Sequence, residues 1–148
     1  MSGETADGPR YIGPKRPDRT LGGNHDTFWD WCGKGELRLQ RCGNCNHLHW
    51  PVTVRKCESC GEQAFTWEPM SGRGKVVSWT TFQQDYYRGL MAVPYDTILV
   101  ELDEGPLFMS NPQGFSWQDL SPEMPVKLAF LDAEDSAGTF KLPVFERG

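Results

Sequence analysis

Two short stretches decide how this chain is read: Arg41-Cys42-Gly43-Asn44-Cys45 and Lys56-Cys57-Glu58-Ser59-Cys60. They hold four of the five cysteines as two Cys-x-x-Cys pairs with eleven residues between them. Each pair can form a tight turn whose backbone amides point at the thiolate sulfurs. Two such turns facing each other build the closed tetrahedral four-sulfur site of a structural zinc ribbon. Thiolates select zinc or iron over harder cations, and a full set of four leaves no open position for catalysis. Two disulfides or a thioredoxin-like redox pair are the competing assignments, and a redox motif is rarely doubled at this spacing. The expected ligands are therefore Cys42, Cys45, Cys57 and Cys60, holding structural Zn2+.

The strands around the pairs extend this picture. Glu36 to Arg41 alternates Leu37 and Leu39 against polar neighbours, which predicts a strand entering the first turn. His47-Leu48-His49-Trp50-Pro51-Val52 reads as the ribbon's hairpin; either histidine could in principle ligate metal, but with four thiolates at better spacing both are read as ordinary surface or hairpin residues. Ala64 to Met70 is the outgoing strand. Upstream, Asp26 and Thr27 can cap a helix starting at Phe28, with Phe28, Trp31 and Cys32 on its apolar face and Gly33 and Gly35 ending it. So short a helix depends on packing for its stability. Residues 1–25 are rich in Gly, Pro and charge and read as a flexible arm. Tyr11-Ile12-Gly13-Pro14 within it is suited to lie along a partner subunit.

After Gly72-Arg73-Gly74 the composition changes. Lys75 to Phe82 alternates Val76, Ser78, Thr80 and Phe82 strictly against Val77, Trp79 and Thr81. A loop rich in Gln, Tyr and Gly runs from Gln83 to Pro94. Tyr95 to Leu102 is the next strand, Asp103-Glu104-Gly105 a hairpin turn, and Leu107-Phe108-Met109 a short buried strand. Ser116 with Asp119 forms a capping box that opens one helical turn. Val126 to Leu131 and Thr139 to Phe145 complete five strands with a helical insertion after the third. Short strands closed by Gly and Pro turns suit a small barrel of the OB type. The chain thus reads as mainly β: an N-terminal helix, a zinc ribbon, then a five-stranded OB-fold barrel. Its divisions are 1–25 (arm), 26–70 (helix plus ribbon) and 71–148 (barrel).

Composition narrows the function. The 148 residues suit one domain, or a small module attached to a larger one. No apolar run is long enough to span a bilayer, and no basic-then-apolar leader opens the chain, so a cytoplasmic protein with reduced thiols is expected. The net charge of −5 argues against nucleic acid as a partner, because polyanion binding draws its affinity from Lys and Arg. Local basic groups stand at Arg55-Lys56, at Arg73 with Lys75, and at Arg88. Six tryptophans suit a compact core or a large partner surface.

The ordered series Phe28-Trp29, Gly35-Glu36-Leu37-Arg38-Leu39-Gln40-Arg41-Cys42, the two cysteine pairs, and Ser71-Gly72-Arg73-Gly74-Lys75-Val76-Val77-Ser78 resembles domain-of-unknown-function family 35. Val100-Glu101-Leu102-Asp103-Glu104-Gly105, Met124-Pro125-Val126 and Leu142-Pro143 continue the match, which covers Phe28 to Val144. The family pairs a rubredoxin-like zinc ribbon with an acyl-CoA-associated OB-fold. The resemblance implies a non-catalytic accessory subunit of a thiolase-fold enzyme, a thiolase or an aldolase, acting on carbon–carbon bonds beside a CoA thioester. It implies a hetero-oligomer, two plus two, in which the barrel helps form the CoA or acyl channel. An aromatic acyl-CoA such as benzoylsuccinyl-CoA in degradative metabolism is the narrower expectation. Ser110-Asn111-Pro112-Gln113-Gly114-Phe115 departs from the more usual apolar continuation.

The chain itself offers no catalytic set. It has no Gly-x-Ser-x-Gly elbow, no His-Glu-x-x-His, and no phosphate loop followed by Lys. Cys32, the thiol left over, lies on an apolar face and reads as a small hydrophobe. Binding is a different matter. CoA carries phosphates and an adenine, so Arg73, Lys75 and Arg88, interleaved with Phe82, Tyr86 and Tyr87, are candidate contacts, by guanidinium pairing and ring stacking. The same side chains suit solvated turns or a protein partner. Two rival functions remain at this level. One is a single-strand nucleic-acid binder that stacks bases on Trp79 and Phe82. The other is a redox protein with iron in the four-sulfur site.

Overall fold

In the computed structural model, residues 24–50, 56–86, 92–135 and 138–148 are described. Residues 1–23 of the expected arm, with the Tyr11-Ile12-Gly13-Pro14 segment, lie outside them, whereas Asn24 and His25, expected at its end, belong to the helix. Helix α1 spans Asn24–Gly33, and the ribbon strands are β1 (Arg38–Cys42), β2 (Leu48–His49) and β3 (Phe65–Pro69). The barrel strands are β4 (Arg73–Phe82), β5 (Tyr95–Leu102), β6 (Leu107–Ser110), β7 (Pro125–Asp135) and β8 (Gly138–Arg147), with one 3-10 turn at Trp117–Asp119.

The helix begins four residues before the expected Phe28. Asp26 consequently lies inside its first turn, where a carboxylate complements the helix N-terminus, rather than at its cap. Phe28 and Cys32 are its buried positions. Its end is the expected one: Gly35 takes φ +79°, and the Gly35 and Glu36 N–H groups bond back to the Cys32 and Trp31 carbonyls. The Arg38 guanidinium lies over the Trp31 ring at 3.7 Å and covers the flank of that end.

The ribbon is a three-stranded antiparallel sheet in the order β2-β1-β3. The second sheet runs β6-β5-β4-β7-β8, antiparallel throughout. It curls until its two edges meet. Pro112 bridges Phe145, the Gln113 N–H donates to the Phe145 carbonyl (2.7 Å), and the Ser110 hydroxyl donates to the Pro143 carbonyl (2.9 Å). This is the five-stranded OB fold the sequence implies, with the helical turn after its third strand. There the Ser116 N–H donates to the Asp119 carboxylate at 3.1 Å.

Two details of the strands differ from the sequence reading. The strict alternation of β4 is interrupted by a bulge between Val76 and Ser78, which leaves Val77 and Ser78 both exposed and moves the half-buried positions to Trp79 and Thr81. Strand β6 is buried on one face only. Phe108 and Ser110 point inward, while Leu107 and Met109 are 47% and 56% exposed. An edge strand has one neighbour and no second layer over its outer face, so a run of three apolar residues does not make it fully buried.

One apolar core joins the parts. Leu37, Leu39 and Met70 from the ribbon cluster with Val76, Ile98, Val100, Phe108, Val126 and Phe145 of the barrel. Trp50, just past β2, packs on Phe108 at 5.0 Å, and Trp29 of α1 meets Phe140 of β8 edge-on at 5.2 Å. Gly74 permits the closest strand approach. A methyl there would lie 2.6 Å from the Glu101 carbonyl oxygen and 2.7 Å from Val100 Cγ1.

Candidate metal centre and its surroundings

The two Cys-x-x-Cys turns are built alike. In the first, the Asn46 N–H returns to the Cys42 carbonyl, the Cys42 N–H donates to the His47 carbonyl, and the Asn44 N–H points at Cys42 Sγ (3.4 Å). In the second, the Gly61 N–H returns to the Cys57 carbonyl, the Cys57 N–H donates to the Glu62 carbonyl, and the Ser59 N–H points at Cys57 Sγ (3.4 Å). The residue after each pair is left-handed: Asn46 at φ 65° and Gly61 at φ 83°. Gly and Asn are the residues that adopt this conformation at least cost. That requirement was readable beforehand in the position following each pair.

The four sulfurs converge. Cys42 Sγ lies 3.6 Å from Cys60 Sγ and Cys45 Sγ lies 3.5 Å from Cys57 Sγ, and all four fall within 4.8 Å of one another. Zn–S bonds of about 2.3 Å place tetrahedral sulfurs roughly 3.8 Å apart, close to the 3.6 and 3.5 Å separations here, so the donor set suits zinc. No disulfide links them. The Asn44 carboxamide and a backbone N–H donate to Cys60 and hold its thiol down at about 6. Cys45 accepts a backbone N–H, yet desolvation and the adjacent sulfurs push it up to about 11. Four thiols in contact cannot all ionise without a cation among them, and this donor set is one a divalent metal completes. Bound there, zinc would act as a structural crosslink, since four sulfurs close its coordination sphere. Cys32 stands apart, buried in α1 with its thiol pushed up to about 12 by desolvation, a poor nucleophile.

The residues considered for CoA fall into two groups that the fold separates. Arg73 and Lys75 open β4, and Phe82 ends it, so a strand of ten residues, up to about 30 Å, lies between them. Lys75 is already paired with Glu123 (3.0 Å) and Glu101 (3.5 Å), which raise its pKa. At the far end Phe82 stacks on Tyr95 (4.9 Å between centroids) and meets Tyr86 edge-on at 6.4 Å. Tyr87 and Arg88 lie outside the described residues. Of the two rings considered for base stacking, Phe82 has one face covered by Tyr95, and Trp79 packs against the core.

A four-cysteine ribbon continuous with an OB barrel defines a class of protein: a small metal-stabilised β module. Sequence profiles place it further. Residues 29–66 match the ChsH2 rubredoxin-like zinc ribbon domain, and residues 67–131 match the ChsH2 C-terminal OB-fold domain. The chain belongs to the DUF35 family, with a rubredoxin-like zinc ribbon followed by an OB-fold domain.

Individual relatives agree. The chain is 32% identical over 123 residues (81% of it, 36% of the relative) to a probable enoyl-CoA hydratase alpha subunit of Thermomonospora curvata. It is 31% identical over 109 residues (73% of it, 34% of the relative) to the 3-oxo-4,17-pregnadiene-20-carboxyl-CoA hydratase alpha subunit of Mycobacterium tuberculosis. A DUF35 domain-containing scaffold protein of Pyrococcus furiosus is 28% identical over 92 residues, 58% of this chain and 64% of that protein. The chain therefore spans about a third of the length of the two hydratase subunits and under two thirds of the scaffold protein. Among solved structures, a chain of the Ltp2-ChsH2(DUF35) aldolase matches with a TM-score of 0.74 and 28% identity, covering 86% of this chain and 97% of that one. A DUF35 protein of Sulfolobus solfataricus shares the fold, with a TM-score of 0.60 at 13% identity over 88% of this chain and 91% of that one. Among the described residues no helix is long and apolar enough to cross a membrane.

Proposed function

We propose that this chain is a zinc-containing, non-catalytic accessory subunit of a hetero-oligomeric acyl-CoA enzyme whose catalytic subunit has the thiolase fold. The observation that carries the reading is the near-complete overlay on a chain of the Ltp2-ChsH2(DUF35) aldolase, 97% of which is covered. Acyl-transfer or aldol chemistry needs a nucleophile or base and oxyanion donors converging on one atom. Here the free thiol is buried with a raised pKa, and the remaining cysteines converge on a metal. The reacting groups then belong to the partner, and this chain supplies shape and binding surface. Outward-facing Leu107 and Met109 on an edge strand suit a protein partner.

Within that role, the aromatic end of β4 is the CoA-facing end. Phe82 and Tyr86, with Tyr87 and Arg88 next in sequence, offer ring faces and a guanidinium for adenine and phosphate. Arg73 and Lys75 belong to a second, separate contact, and Lys75 would have to exchange its carboxylate partners to join it. The narrower reading is a two-plus-two assembly acting on an aromatic acyl-CoA, as the small subunit of a benzoylsuccinyl-CoA thiolase. A second reading, a subunit of an acyl-CoA hydratase, draws on the two relatives that bear that name.

Affinity capture of the tagged chain from its host, with identification of the retained protein, tests both. A thiolase-fold partner that turns over acyl-CoA only when recombined with this chain is the expected result. A retained hydratase would favour the second reading. Full activity of the isolated large subunit would overturn the first.

A further inference from the structure

Beside the cysteine cluster the ribbon assembles another set of donors. His47 immediately precedes β2 and His49 ends it. Their rings meet edge-on at 4.4 Å. Glu58 reaches them from inside the second Cys-x-x-Cys turn. Its Oε1 lies 3.4 Å from His47 Nε2 and 3.8 Å from His49 Nδ1, and one donor atom from each of the three residues falls within 4.8 Å of the other two.

The burial pattern of this set is unusual. His49 is 1% exposed, and neither of its ring nitrogens has a hydrogen-bond partner among the described residues. Buried polar groups are nearly always paired, so such an imidazole calls for an explanation. Glu58 is too far away to supply it alone, because 3.8 Å exceeds hydrogen-bond length. A metal ion between them would account for Nδ1, the ring nitrogen that faces Glu58. Bonds of about 2.0–2.2 Å to imidazole nitrogen and carboxylate oxygen put tetrahedral donors roughly 3.4 Å apart. The His47–Glu58 separation has this value, the His49–Glu58 separation is reached by a few tenths of an ångström of movement at an exposed glutamate, and the two imidazole nitrogens lie within 4.8 Å of each other. Two imidazoles and a carboxylate are borderline donors, suited to zinc and its first-row neighbours rather than to calcium or magnesium. His47 and Glu58 are exposed (side chains 43% and 74%), so the remaining coordination positions face solvent.

We propose that His47, His49 and Glu58 form a second metal site, open to solvent, that takes Zn2+ independently of the four cysteines. The two sites differ in kind. Four sulfurs close the first, whereas three nitrogen and oxygen donors leave the second able to exchange its ion or accept a further ligand. The second also clips the β2 hairpin to the second turn, through side chains rather than backbone. It does not depend on the accessory-subunit reading.

The full chain, carrying one zinc, would be titrated with Zn2+ by calorimetry in a non-chelating buffer. A second equivalent is expected. His47→Ala and Glu58→Gln, both at exposed positions, should each weaken it by about 100-fold or more, since loss of a ligand costs at least as much as loss of an outer-shell partner. In both variants the cobalt–thiolate absorption of the cysteine site should persist after metal exchange. In the unsubstituted chain, the second equivalent should shift the His49 ring nitrogen resonances. The proposal fails if no second equivalent binds, if it survives both substitutions undiminished, or if the His49 resonances stay where they were.

Discussion

The ribbon and the barrel share a core but owe their stability to different interactions. In the ribbon, β2 is two residues long, and both Cys45 and Cys60 are exposed. A sheet that small cannot exclude enough water to hold itself, and coordination takes the place of burial. In the barrel, β8 is covered on both faces. Phe145 turns inward to Phe108, while Phe140, which shares a face with Val144, takes Trp29 of the helix. There dispersion and the hydrophobic effect dominate, and the hydrogen-bond ladder adds register. The contrast teaches that one chain can carry a locally crosslinked platform and a conventionally packed one, joined at Leu37, Leu39 and Met70.

The strongest way to break this comparison is to remove the metal. Apparent folding energies of about 10–16 kcal/mol accompany zinc binding in small four-ligand modules. Chelation should therefore abolish amide protection in β1 to β3, while β5 and β7 remain protected in hydrogen exchange. Loss of protection in both regions together would mean that the shared core makes them one cooperative unit. The reciprocal experiment is Phe145→Ala. It empties a fully buried site and should cost about 3–5 kcal/mol in urea unfolding, with the cobalt–thiolate spectrum of the ribbon retained.

A pair of alanine substitutions sharpens the contrast at smaller scale. Gly74→Ala drives a methyl into the Glu101 backbone and should destabilise the barrel by about 1–3 kcal/mol or more. Gly61→Ala meets no atom within 4 Å and carries only the strain of a left-handed residue, about 1–2 kcal/mol, read as weaker metal retention. The smallest effect concerns the Arg41–Glu68 pair, 2.8 and 2.6 Å across the β1–β3 ladder. Arg41 holds the Glu68 carboxyl below the usual carboxylate range. A depressed folded-state pKa contributes stability that is complete above the unfolded value and lost as pH falls through the folded one. The stability difference between the native chain and Glu68→Gln should accordingly shrink as pH drops below the ordinary carboxylate range, and raised salt should shrink it too.

Much of this was written locally in the chain. The ribbon could be read because its ligands fall within nineteen residues and each turn is set by its own four or five. The span Tyr95–Leu102 could be read because period-two burial of Ile98, Val100 and Leu102 is a property of one strand. The bulge at Val77 could not, since it depends on which residues of β5 lie opposite β4. Nor could the exposure of Leu107 and Met109, which follows from β6 being an edge, a fact of sheet order rather than of composition. His49 was read as a residue of the hairpin or of the surface. It does lie in the hairpin, but ring contacts with His47 and with Phe65 of β3 surround it, and it is buried.

By itself, then, the sequence determined the four-sulfur site, the two-part order of ribbon and barrel, and the strand pattern, all of which rest on spacings of a few residues. Tertiary structure alone decided that Lys75 is taken up by Glu123 and Glu101, that Glu58 lies against His47 and His49, and that the two sheets share one core. Those are distances between residues that the chain brings together or holds apart only by folding, and no local period encodes them.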